Sequence, residues 1–267
     1  LEKIVEDSGS HTNRHGSTGF SLIELLVVIG VIAVICAIAL PSLWGARRQA
    51  RSKVSLANLH GHIGVMMVYA ADNRDAWPTP SPDPILRITF KEAASEYPRF
   101  AFSSFWNYIL ADSYYNGQAE NRSFYPPDYV TDVIKTPSGF TPYTLTCTAI
   151  ANAEFWNPKT RTGPDQWGGA KHSDVLYPAK KSALINIYPA FIQYQNRLLT
   201  KDAPLTLEIA LVDGSAKVVG VRDTIDGYSS GERLRVGTST GKDGTYHASD
   251  WPFGCHTIEG MRGRDVP

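Results

Sequence analysis

Cysteine is scarce in this chain: three in 267 residues. That number rules out a disulfide scaffold, which needs a dense and even set. Net charge is missing as well, since 26 Lys and Arg balance 26 Asp and Glu. A chain so balanced gives no electrostatic case for nucleic-acid binding. There is no glycine-rich phosphate loop and no EF-hand spacing. His60 and His62 are separated only by Gly61 and lack a histidine four residues away, so a helical metal pair is not expected. Nothing here supports an enzyme, a cofactor site or a metal centre.

What is present is one long apolar run. From Phe20 to Leu40 only Ser21 and Glu24 are polar. As a helix rising about 1.5 Å per residue it reaches roughly 30 Å, enough to cross the hydrocarbon core of a bilayer. A core helix of a soluble protein rarely needs an apolar run on every face. A secretory signal peptide should have a shorter run, even though Ala37-Ile38-Ala39 has the small-x-small look of a cleavage site. Glu24 is the anomaly. A carboxylate inside a membrane helix costs about 2.5–3.5 kcal/mol and normally has a partner or a task. If the chain were cut after Gly19, the new α-amino group of Phe20 could pair with Glu24 of the same helix or of a neighbour. The first helical turn would also favour its negative charge.

The stretch Gly19-Phe20-Ser21-Leu22-Ile23-Glu24-Leu25-Leu26-Val27-Val28-Ile29 resembles the prepilin-type cleavage and methylation signal of type IV pilins and type II secretion pseudopilins. The resemblance implies cleavage between Gly19 and Phe20 by a membrane-embedded prepilin peptidase. It also implies N-methylation of Phe20, and a Glu24 that guides subunits into a filament. Pro41 falls where many pilins carry a helix-bending proline.

Residues 1–19 are polar and without periodicity, and are read as a leader that is removed. Arg47, Arg48, Arg51 and Lys53 follow the apolar run. The positive-inside rule would hold them in the cytoplasm. The resemblance implies the reverse, with leader inside and head outside, and a large downstream domain weakens orientation by charge; the reverse is therefore expected. From Ser42 to about Asp72 the helix continues as an amphipathic one. Leu56, Leu59, Ile63, Met66 and Ala70 recur every three or four residues. Leu43, Ala46, Arg47, Arg51, Asn58-Leu59, Tyr69-Ala70-Ala71-Asp72-Asn73 and Pro78 are together similar to a large set of bacterial prepilin-like proteins. Those proteins often carry a histidine ten positions before an Asp-Gly pair; here Asp213-Gly214 is present, but the position holds Ala203. Asp72-Asn73, soon followed by proline, reads as the helix stop.

The 17 prolines and 22 glycines argue for a head rich in turns. Pro78, Pro80, Pro82 and Pro84 predict an extended connector over 74–96. Aromatics crowd residues 97–129, and core packing is the expected use, with a glycan-binding platform as the alternative. Phe105–Leu110 is a candidate short helix. Strands are expected at Tyr143–Thr148, Ser182–Ile187, Leu207–Val212 and Ala216–Val221, the last two joined by a hairpin at Asp213-Gly214, and at Leu234–Thr238 and Thr245–Ala248. Cys147 and Cys255 would permit one disulfide in an oxidising compartment, with two separate buried thiols as the equal alternative. Asp223, Asp226, Asp243, Asp250 and Asp265 could feed a calcium site such as some pseudopilin heads have, but solvated turn carboxylates are the expectation. Asn121-Arg122-Ser123 fits a glycosylation sequon, a weak pattern.

The expectation is an α+β, pilin-like protein. Its parts are a leader (1–19), a transmembrane and assembly segment (20–41), an amphipathic helix (42–73) and a globular head (74–267) with an antiparallel sheet packed on the helix. It would be a non-enzymatic pilin or pseudopilin subunit without cofactor, crossing the inner membrane once, its head in the periplasm or outside the cell. Its partners would be copies of itself or related subunits, a prepilin peptidase and inner-membrane lipid, and not nucleic acid. The rival is a single-pass anchored binding module with an aromatic-rich head. A membrane-tethered enzyme is a third alternative.

Overall fold

A computed structural model of the chain describes residues 21–80, 85–90, 93–129, 139–157, 159–188, 205–225, 239–240, 246–247, 257 and 259–267. The chain divides into two compact units, Leu1–Arg48 and Gln49–Pro267.

Helix α1 (Leu22–Asp72) begins in the first unit and ends in the second. Its first half is dense in Val and Ile, which are only fair helix formers in water. In lipid, however, every backbone N–H and C=O must be satisfied within the segment, and a helix is what a single span can form. Residues 21–50 are exposed on all faces. The helix passes through Pro41, whose ring nitrogen cannot donate to the carbonyl of Ala37. Beside it the Ser42 hydroxyl donates to the Ala39 carbonyl at 2.8 Å.

Within the second unit, α1 buries Ser55, Leu59, His62, Ile63, Met66 and Ala70. Leu56, expected on that face, is only half-buried, and Ser55 and His62 take places there. Full burial of Leu59, Ile63 and Met66 stabilises by about 1.5–3 kcal/mol each. The helix stops where Asp72-Asn73 implied, but the left-handed residues are the next two, Arg74 (φ 54) and Asp75 (φ 70). The Asp75 N–H reaches back to the Ala70 carbonyl at 2.8 Å, which satisfies one of the carbonyls left open at a helix end.

The expected connector over 74–96 is replaced in part by an antiparallel hairpin, β1 (Ile85–Phe90) and β2 (Ala93–Pro98). Arg87 lies opposite Glu96 and pairs with it at 3.2 Å. This exposed pair contributes little. Helix α2 (Trp106–Tyr114) covers and extends the short helix expected from Phe105, and α3 (Ala153–Trp156) is a single turn.

The central sheet is antiparallel, in the order β3 (Tyr143–Leu145), β4 (Ser182–Asn186), β5 (Thr206–Leu211), β6 (Ala216–Gly220). The first expected strand ends three residues early, because Cys147–Ala149 turns into a 3-10 helix. At the hairpin, Gly214 takes φ 90, a conformation glycine adopts without strain, and Asp213 accepts from the Ser215 N–H at 2.9 Å. Leu145, Leu184 and Ala210 are aligned across three strands and belong to the same core as Leu59, Ile63 and Met66 of α1. Ile185, Leu207, Ile209, Leu211 and Val219 belong to a second core with Val221 and Val266. This two-sided burial explains why β4 is buried throughout. Two further strands, β7 (Ser239–Thr240) and β8 (Tyr246–His247), pair antiparallel. The last expected strand survives as β8, whereas Leu234–Thr238 lies outside the described residues. The α+β architecture, a long apolar helix with an antiparallel sheet in the head, is the one expected.

Candidate assembly segment and the anchorage of its helix

The first unit contributes one polar feature. The Ser21 N–H donates to Glu24 Oε2 at 2.9 Å, and the Glu24 N–H donates to Ser21 Oγ at 3.2 Å. This is a reciprocal capping box, which satisfies two of the donors that open a helix. The Ser-x-x-Glu spacing would have revealed it, but the reading of Glu24 as a partner for an amine passed over Ser21. Glu24 Oε1 accepts no hydrogen bond from the described residues. From Leu22 (81% exposed) to Ile38 (75% exposed) the large apolar side chains are uncovered. The helix is long and apolar enough to cross a membrane, which fits membrane anchoring. Gly19 and Phe20 lie outside the described residues. Cys36 is an exposed free thiol.

In the second unit, polar groups fix the register of α1 on the sheet. The Ser52 hydroxyl donates to Glu208 Oε1 at 2.6 Å, and the Asn186 amide donates to Glu208 Oε2 at 2.9 Å. The buried hydroxyl of Tyr143 donates to Ser55 Oγ at 2.9 Å. Together these tie the helix to β3, β4 and β5. Farther along, His62 is buried against Phe124, with ring centroids 4.9 Å apart and planes 11° off parallel. Its Nε2 lies 2.8 Å from the Ser123 carbonyl, an acceptor only, so Nε2 carries the proton and Nδ1 accepts from the Tyr115 hydroxyl at 2.7 Å. Burial lowers the His62 pKa to about 4, with the bond to Ser123 pulling the other way. The polar residues of this helix face were legible as a pattern, since Ser55, Leu59, His62 and Met66 follow spacings of four, three and four.

A second polar cluster was not foreseen. Asp265, expected as a solvated turn carboxylate, is 2% exposed and paired with the fully buried Lys181 at 3.0 Å. It also accepts from the Ser182 N–H at 2.9 Å, the Ser182 hydroxyl at 2.6 Å and the Thr257 hydroxyl. Each charge is therefore compensated, as burial demands. Of the other carboxylates considered for calcium, Asp223 is exposed, while Asp226, Asp243 and Asp250 lie outside the described residues. Among the described residues no group of three His, Cys, Asp or Glu could hold a metal ion.

In the aromatic-rich stretch Phe100, Phe102, Phe105, Trp106 and Phe124 are buried, whereas Tyr97, Tyr108, Tyr114, Tyr115, Tyr125 and Tyr129 are half-buried. Cys147 is a buried free thiol, its pKa pushed up to about 12 by burial while a hydrogen bond from Ser103 opposes that shift. A thiol so protonated is unreactive. Cys255 lies outside the described residues.

A long helix bare and apolar over its first half, with its second half laid on an antiparallel sheet, defines a helix-anchored α+β class. Residues 14–40 match the prokaryotic N-terminal methylation motif. The chain is also 42% identical over 55 residues to the major component of the type IV wide pilus, PilA4, of Thermus thermophilus, over 21% of this chain and 42% of that protein. The match thus spans less than half of the relative. Over these matched residues the chain is similar to type IV pilins and carries a prepilin-type methylation signal. No solved structure matches it.

Proposed function

We propose that this protein is a structural subunit of a type IV pilus-like filament, with a pseudopilin of a type II secretion system as the variant of the same design. A prepilin peptidase cuts between Gly19 and Phe20, the Phe20 amine is methylated, and the helix from Phe20 onward assembles with those of other copies. Before assembly the chain crosses the inner membrane once, with its head on the outer side.

The observation that carries this reading is Glu24: a single carboxylate in the first turn of a bare apolar helix, inside a methylation motif. A bundle of such helices excludes water, so a carboxylate there is tolerated when a cation lies against it. Glu24 Oε1, which takes no hydrogen bond from the described residues, offers a place for the amine of Phe20. Burial of Phe100, Phe102, Phe105, Trp106 and Phe124 supports a packing role for part of the aromatic stretch over a binding platform.

N-terminal sequencing and intact mass of the protein from its native membrane test the reading. A chain beginning at Phe20 and heavier by one methyl group is the expected product. A Gly19 variant with a bulky side chain should stay uncut, because glycine presents bare backbone at the scissile bond. Normal cutting of that variant, or an uncut parent chain, would refute the proposal.

A further inference from the structure

Between Glu24 and Asp72 the sequence contains no acidic residue, yet it carries Arg47, Arg48, Arg51 and Lys53. A helix usually sets acids three or four residues from its bases, and here that partner is missing. Arg47 and Arg48 are exposed and make no ion pair or hydrogen bond with the described residues. Just before them Leu40 and Leu43 are exposed apolar residues, and Trp44 is 66% exposed. Trp44, Arg47 and Arg48 stand at i, i+3 and i+4 of one continuous helix and so share a face.

The distance along the helix matters. Leu22 to Leu43 spans roughly 30 Å, the thickness of the hydrocarbon core, which brings Trp44 to its far boundary. Tryptophan concentrates at that boundary, with its ring in the apolar layer and its N–H toward water. One turn farther, about 5 Å, is headgroup depth, and there the two arginines lie. Under the proposed topology this basic run is on the side that the positive-inside rule disfavours, so orientation is not what it provides.

We infer that Trp44, Arg47 and Arg48 form a collar that binds anionic phospholipid headgroups of the leaflet facing the head. The inference rests on the membrane-anchored reading of the helix. The guanidinium groups meet lipid phosphates as forked donors, and the indole fixes the depth of the helix. The collar would hold a stored subunit at one height until assembly.

The test uses the full chain in bilayer nanodiscs of equal phosphatidylglycerol and phosphatidylcholine, with native mass spectrometry of the lipids that stay bound. Phosphatidylglycerol should be retained over phosphatidylcholine, less so as salt rises. At about fivefold per arginine near an anionic surface, Arg47→Gln with Arg48→Gln should weaken that retention on the order of twentyfold. Both positions are exposed, so glutamine leaves the helix intact. Equal retention of the two lipids, or an unchanged preference in the double variant, overturns the collar while the chain stays in the bilayer. An unchanged preference with lost filament yield would assign the arginines to acids of a second copy, again overturning it. A parent chain that fails to enter the bilayer sinks the membrane reading and the collar with it.

Discussion

Glu208 on β5 accepts the hydroxyl of Ser52 from α1 at 2.6 Å, from 156 positions away along the chain. Apolar contact alone leaves a helix free to slide along a sheet, and this directional bond fixes its register. Replacing Glu208 by Ala leaves the hydroxyl of Ser52 and the amide of Asn186 without their acceptor. A loss of about 1–3 kcal/mol is expected. Urea unfolding of the full chain in detergent, followed by the fluorescence of the buried Trp106 and Trp156, reads it directly. An unchanged midpoint would mean that packing alone sets the register.

His62 links stability to acid. Its pKa is about 4 in the folded protein and 6.5 as the ordinary value, so the unfolded chain binds the proton first as pH falls. Stability from this group is complete above pH 6.5 and declines down to about pH 4, by about 3 kcal/mol in all. His62→Phe keeps the stack on Phe124 but removes the titration. The variant should be less stable at neutral pH and show a flatter decline between these limits. An equally steep decline would place the acid sensitivity elsewhere.

The pair of Lys181 and Asp265 gives an asymmetric prediction. Asp265→Ala strands a buried ammonium and should cost about 3–5 kcal/mol. Changing both, as Lys181→Met with Asp265→Leu, removes the stranded charge, so the double variant should be more stable than the single one. The comparison of the two midpoints decides the matter, and additive losses would show that the two charges are not coupled.

For Glu24, Glu24→Leu lowers the cost of membrane insertion, so the variant should insert and be processed. It should then fail or slow at assembly, because the Phe20 amine loses its carboxylate. Glu24→Asp, with a shorter arm, should assemble partly. The share of each variant in sheared filaments against membranes provides the measurement. Assembly of Glu24→Leu at the parental level would make the carboxylate a passenger.

The long helix was legible because its signals are local and dense: an unbroken apolar run, then Leu59, Ile63, Met66 and Ala70 at helical spacing. The hairpin at Asp213-Gly214 was legible for the same reason. The β1–β2 hairpin was not, because prolines masked a pairing that rests on cross-strand partners such as Arg87 and Glu96. The burial of Asp265 could not be read either, since it depends on Lys181, 84 residues away, and nothing near Asp265 in sequence announces it. Ser21 was the signal overlooked: its spacing to Glu24 is a local rule and needed no structure.

The clasp between Lys181 and Asp265 has a consequence for biogenesis. Synthesis runs from the N-terminal end, so Lys181 is made 84 positions before Asp265. Until then the start of β4 has a cation with no counter-charge, and closing the core around it is unfavourable. Closure of the core beside β4 is therefore favoured only once Asp265 is present, so a residue far along the chain completes a pair begun 84 positions earlier.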